Sequence, residues 1–225
     1  MGQAIGNILP LALAVAISPI PIIAIILTLG TPRARSNGIA FTVGWLAGLT
    51  IVGTIMLLAS SGNATQDSGA PATWTSVLKL VFGALFLALA VHSWRGRPKP
   101  GEDATMPKWM AALDTFTAGK MLGLGALLSG LNPKNLALTV AAATTITQAS
   151  ISSGQEAWVL AVFVLIGSLT ILTPVVIYFA MGAKAKEILD EMKGFMAAHN
   201  GAIMTVLFLV LGAKLIGEAI AGFSS

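Results

Sequence analysis

The first 32 residues carry no charged side chain, and residues 157–183 are equally free of charge. Either run is long enough for a helix of ~20 residues to cross a hydrocarbon core of ~30 Å. A water-soluble domain carries about 25% charged residues, whereas this chain carries 10% and has a mean hydropathy of +0.86. An all-α polytopic membrane protein is therefore expected. The start lacks a basic leader and a small-residue cleavage pattern, so residues 3–29 read as a retained span.

Apolar runs of spanning length predict six transmembrane helices, at 3–29, 37–60, 74–94, 119–147, 157–183 and 200–222. The loops after the second and fourth spans, "SGNATQDSGAPAT" and "QASISSGQE", contain no Lys or Arg. Of the 13 cations, all but Lys79, Lys134 and Lys214 fall in the other loops, beginning with Arg33 and Arg35. The positive-inside rule makes those loops cytoplasmic and places both termini outside a bacterial inner (plasma) membrane. Two cytoplasmic connectors, "MPKWMAALDTF" and "KAKEILDEMKGFM", have apolar residues at helical spacing and read as amphipathic surface helices.

The charge-free first span contains a second constraint. Pro19 and Pro21 lie inside it, and Pro133 lies near the middle of the fourth span, within "SGLNPKNL". Each proline removes an N–H and displaces a carbonyl, which is tolerated in a membrane only against protein or a wet cavity. Ser18 and Asn132, directly before prolines, are candidates to supply the missing hydrogen bonds. A further echo aligns "LKLVFGALFLALA" from Leu78 with "LFLVLGAKLIGEA" from Leu207, and so Gly83 with Gly212. Three spans per half force the halves into opposite orientations. The expectation is two inverted three-helix repeats, 1–94 and 119–225, with broken helices 1 and 4 meeting around a polar cavity. Residues 95–118 would form the cytoplasmic connector between the repeats, and 184–198 a second amphipathic connector.

Charges inside the spans are the candidate translocation residues. Lys134 lies ~21 Å along its span at ~1.5 Å per residue, too deep to reach a surface easily. A buried ammonium costs at least ~2.5–3.5 kcal/mol, so it should meet either an anionic headgroup or the carbonyls freed at a break. Lys214 and Glu218 are four residues apart and share a helix face. Lys79 enters the third span near its outer end. Arg33 and Arg35 suit either membrane anchoring or a cytoplasmic entrance for a sulfate- or phosphate-bearing amphiphile. Gly44, Gly48, Gly119 and Gly123 form small-xxx-small pairs that permit close helix packing, within the chain or in a homodimer.

Other chemistry is disfavoured. The chain has no Walker motif and no cysteine, and its two histidines, His92 and His199, lie far apart without clustered carboxylates. No catalytic constellation, resident metal or cofactor is expected, and no basic-aromatic groove points to nucleic acid.

The runs "LPLALAVAISPIPIIAIILTLGTPRARSNGIAFTVGW", "LLSGLNPKNLAL" and "LGAKLIGEAI" resemble the glycolipid-addressing family of actinobacteria. That family includes the sulfolipid-addressing proteins, within the lysine exporter (LysE) superfamily. The resemblance implies a six-span inner-membrane carrier that moves envelope glycolipids or related amphiphiles outward in a mycobacterium or a relative. It marks Ser18, Pro19, Pro21, Pro32, Arg33, Arg35, Asn132, Pro133, Lys134, Asn135 and Lys214 as motif positions. Combined with the buried cations, it predicts alternating access for an anionic or amphiphilic lipid, with membrane lipids as the immediate partners. Two rivals stand beside it. One is export of amino acids or other small metabolites. The other is a non-transporting scaffold that docks lipid-synthesis or export partners through the 95–118 connector.

Overall fold

The structure, a computed structural model, describes residues 1–63, 73–97 and 107–224. Residues 64–72 of the polar loop and residues 98–106 of the 95–118 connector lie outside the described residues. Among the described residues eight α-helices follow one another: α1 (Gly2–Ala16), α2 (Pro19–Leu29), α3 (Ala34–Asn63), α4 (Thr73–Arg95), α5 (Ala118–Ala126), α6 (Pro133–Thr147), α7 (Ser153–Met181) and α8 (Ala185–Ser224). No strand occurs among the described residues. Among the described residues three helices, at Ala34–Ala59, Ser153–Met181 and Ala185–Phe223, are individually long and apolar enough to cross a membrane. α1 and α2 make a fourth when taken as one span bent by 54°. The third expected span is α4, and the fourth is divided among α5, a π-helical turn at Leu127–Leu131, and α6.

The chain forms two compact units. The first comprises Met1–Thr65 and Met106–Met196, and the second Gln66–Thr105 and Ala197–Ser225. In the first, α3 packs on α5, α6 and α7, while α1 packs on α6 and α7. Phe41, Trp45 and Phe163 are fully enclosed there. Leu58, Leu131 and Val176 face outward, at 70%, 66% and 62% exposure. Aliphatic side chains turned outward in apolar helical segments suit contact with acyl chains.

Backbone-to-backbone contact draws α3 onto α5. A Cβ at Gly44 would overlap the Leu122 carbonyl oxygen, one at Gly48 would overlap the Ala126 carbonyl oxygen and the Ser129 hydroxyl just beyond α5, and one at Gly125 would overlap the Phe41 carbonyl oxygen. Two of the four glycines singled out by spacing, Gly44 and Gly48, thus serve packing within the chain. Gly119 and Gly123 face open space, and the partner glycine on α5 is Gly125, outside the spaced pair.

The second unit pairs α4 with the later part of α8. Gly83 and Gly212 each approach the other's carbonyl oxygen, so that a Cβ on either would stand 3.1 Å and 3.0 Å from it. One turn on, Phe86 and Phe208 stack with ring centroids 5.6 Å apart. Thr205 Oγ1 lies 3.4 Å from the Ala90 carbonyl oxygen, continuing the same antiparallel register.

Neither amphipathic connector takes the form that its spacing predicts. Residues Lys108–Thr115 form a 3-10 helix whose Met110 and Leu113 are buried in protein. The Asn37 amide donates to the Phe116 carbonyl at 2.9 Å, tying that turn to α3. Residues 184–198 are mostly the first turns of α8, continuous with the last apolar segment. No proline interrupts residues 175–225. The stop comes earlier, at Gly182, whose φ of +55° is open to glycine and strained for other residues.

Candidate functional site

Two broken helices meet in the first unit, and the reason is an exchange of hydrogen-bond donors. In an uninterrupted helix the Val15 and Ile17 carbonyls would accept from the N–H groups of residues 19 and 21. Both positions are proline. The Ser18 hydroxyl therefore donates to the Val15 carbonyl at 2.7 Å. Lys134 Nζ, from the start of α6, donates to the Ile17 carbonyl at 3.0 Å and the Ala14 carbonyl at 2.7 Å. Its third proton goes to Ser18 Oγ at 2.7 Å. Ala16 O receives both the Ser18 N–H, at 2.8 Å, and the Thr170 hydroxyl of α7. Leu13 O accepts from Ile17 N at 2.9 Å. Every carbonyl of the last turn of α1 thus has a partner.

The break before α6 is repaired in the same manner. In the wider π turn the donor due to the Leu128 carbonyl belongs to residue 133, which is again a proline. Asn135 Nδ2 donates to that carbonyl at 3.0 Å. Asn132 caps α6 by accepting from the Lys134 N–H at 3.0 Å, and Pro133 occupies the first turn, where its missing N–H costs nothing. Asn135 Oδ1 stands 3.4 Å from Ser18 Oγ, so the two repairs touch. Ser18, Lys134 and Asn135 are 3%, 5% and 0% exposed.

Lys134 has three donors and all three are engaged by neutral acceptors. Among the described residues no carboxylate is bonded to it. Its charge is instead set at the carbonyl end of α1, where the helix dipole contributes about half a negative charge. Of the two roles open to this lysine, the one seen is the bonding of freed carbonyls. A headgroup would have to take over at least one of those bonds.

The remaining candidates lie elsewhere. Pro19 and Pro21 are buried in the first turn of α2. Arg33 sits in the turn before α3 and Arg35 in its first turn, both exposed. Lys79, Lys214 and Glu218 form a group of their own in the second unit. Glu218 reaches Lys79 Nζ at 3.0 Å and Lys214 Nζ at 3.6 Å. The sequence pairs Glu218 with Lys214 only; the bond to Lys79 crosses between helices. Thr170 is a participant that sequence reasoning missed, and its only signal was a hydroxyl one turn before Pro174 in a charge-free run. Among the described residues no cluster of three or more His, Asp or Glu side chains is formed.

No curated protein matches this chain. No solved structure does so either. A comparison with known families matches residues 8–221 to one described as Sap, sulfolipid-1-addressing protein. With nearly its whole length matched, the chain belongs to the sulfolipid-1-addressing protein family.

Proposed function

We propose that this chain is a secondary carrier of the bacterial plasma membrane that exports or flips an anionic or amphiphilic envelope lipid. Family membership points to lipid addressing or export. The observation that carries the mechanism is the bonding of Lys134 in α6 to the Ala14 and Ile17 carbonyls of α1. Six spans in two inverted repeats, as in the wider lysine exporter superfamily, give this contact a use. The element order supports that reading, since a broken helix followed by two long ones occurs twice. The contact of Gly83 with Gly212, equivalent positions in the two halves, is what a two-fold pseudo-axis passing nearby produces.

In hydrocarbon an unbonded carbonyl costs several kcal/mol, so the two breaks separate only when other donors replace Lys134. Water entering with a polar headgroup supplies those donors, and the headgroup's negative charge takes the released ammonium. Opening is thereby coupled to the presence of cargo. Arg33 and Arg35 gather anionic headgroups at the cytoplasmic entrance, and Lys79, Lys214 and Glu218 serve as further translocation residues. The chain is not an enzyme on this reading and needs no cofactor.

Purified protein in liposomes carrying a labelled sulfated lipid should move the label between leaflets. Lys134→Ala should slow that movement at least tenfold, while Arg35→Ala should alter mainly its dependence on headgroup charge. Movement no faster than in protein-free vesicles would reject the carrier. One observation favours a second reading, a membrane scaffold: the ammonium protons are already fully engaged. A scaffold predicts that lipid export in cells survives Lys134→Ala in a folded protein and is lost when the 95–118 connector is replaced.

A further inference from the structure

The group at the end of the α4–α8 pair has a charge balance that packing does not require. Glu218 uses both carboxylate oxygens, Oε2 toward Lys79 and Oε1 toward Lys214. Two ammonium groups therefore face one carboxylate, and one positive charge is left over. The side chains are 35%, 41% and 39% exposed for Lys79, Lys214 and Glu218, so the group is open on one side. An excess cation in an apolar helix pair is costly, and it persists where it serves a site. One turn before Lys79, on the same helix face, Ser76 is 1% exposed and its hydroxyl has no hydrogen-bond partner among the described residues. Outward apolar residues flank the ions on both helices, Val77 and Leu80 on one and Ile220 on the other. Glu218 bridges the two lysines with its two oxygens, and about one turn further along each helix the Gly83–Gly212 contact brings the two backbones together.

We infer that Lys79 and Lys214 form a seat for the sulfate or phosphate headgroup of an anionic lipid, occupied in the resting protein by Glu218 as an internal rival. The carboxylate shows the seat's geometry, because a sulfate ester presents the same pair of oxygens to the same two donors. The longer contact, 3.6 Å to Lys214, is the side from which a competing anion enters. Acyl chains then lie along the exposed aliphatic flank. This assignment rests on the proposed lipid substrate and narrows its class to anions, and it concerns binding alone.

The test uses full-length protein in phosphatidylcholine nanodiscs, titrated with a fluorescent sulfated lipid and, separately, with its phosphatidylcholine analogue. Glu218→Gln removes the rival and should tighten binding of the sulfated lipid several-fold. Lys79→Gln and Lys214→Gln should each weaken it about tenfold, the loss of one close charge contact, and leave the analogue unaffected. Sodium sulfate should compete with the probe only at concentrations far above that of the lipid, because the acyl chains add to the probe's hold; sulfate that competes as well as the sulfated lipid itself assigns the seat to a free anion and overturns the lipid assignment. Weaker binding in Glu218→Gln, or unchanged binding in both lysine variants, overturns the seat itself. The double variant Lys79→Gln with Glu218→Gln, with one cation and no rival, should bind more tightly than Lys79→Gln alone, and equal or weaker binding counts against the rivalry. Because binding is read without transport, a working seat in a protein that moves no lipid would sink the carrier and leave this assignment standing.

Discussion

At the scale of single residues, Lys134 carries more of the structure than any other ionisable group in the spans. Its removal as Lys134→Met leaves the Ala14 and Ile17 carbonyls without donors. At ~1–3 kcal/mol per unsatisfied group, the loss is about 2–6 kcal/mol, readable as a fall in melting temperature in detergent. Lys134→Arg should not restore it, since a planar guanidinium cannot direct three bonds to acceptors grouped around one nitrogen. Ser18 shares the network, so Ser18→Ala and Lys134→Met should be non-additive by roughly 0.5–3 kcal/mol in a double-mutant cycle. The sequence made this lysine conspicuous, as a charge deep in an apolar run beside Asn-Pro. It did not name the acceptors, because main-chain carbonyls 117 and 120 residues away leave no side-chain pattern. Thr170 was illegible for the same reason.

At the scale of elements, the glycines separate two kinds of site. Gly125→Ala places a methyl against the Phe41 carbonyl of α3, backbone that cannot rotate away. The variant should lose about 1–3 kcal/mol. Gly123→Ala, two residues earlier on the same helix, meets nothing within 4 Å. It should be neutral or gain about 0.5–1 kcal/mol from helix propensity, measured in the same thermal melt. A marked loss at Gly123 would instead show a second copy packed there. The small-residue spacing announced close packing but not its face, since the pattern on α5 fits two faces equally well. The breaks were legible because proline acts locally. The fusion of 184–198 into α8 was not, because an amphipathic turn and the start of a spanning helix share one periodicity. The 3-10 geometry of Lys108–Thr115 was equally hidden, since its apolar spacing also fits an α-helix.

At the scale of the whole molecule, orientation is the quantity still open to a direct measurement. The chain has no cysteine, so single introduced thiols report their own side of the membrane without background. Ser36→Cys, beside the arginines at the start of α3, should react with an impermeant maleimide only after the cells are permeabilised. Ser152→Cys, before α7, should react in intact cells. Labelling of both from the same side would contradict six spans with external termini. The expectation comes from the charge distribution alone, in which the two loops without Lys or Arg alternate with the cationic ones.

The contact between the breaks is lopsided in its chemistry. α6 contributes a side chain, whereas α1 contributes mostly peptide oxygens that every residue type possesses. Exchanging Ala14 or Ile17 for another small or aliphatic residue leaves those oxygens in place, so the grip can be edited from one partner alone. A screen of small and aliphatic replacements for loss of export would thus light up position 134 and stay dark at the two positions it holds, and a reader of that screen would look in vain for the lysine's counterpart.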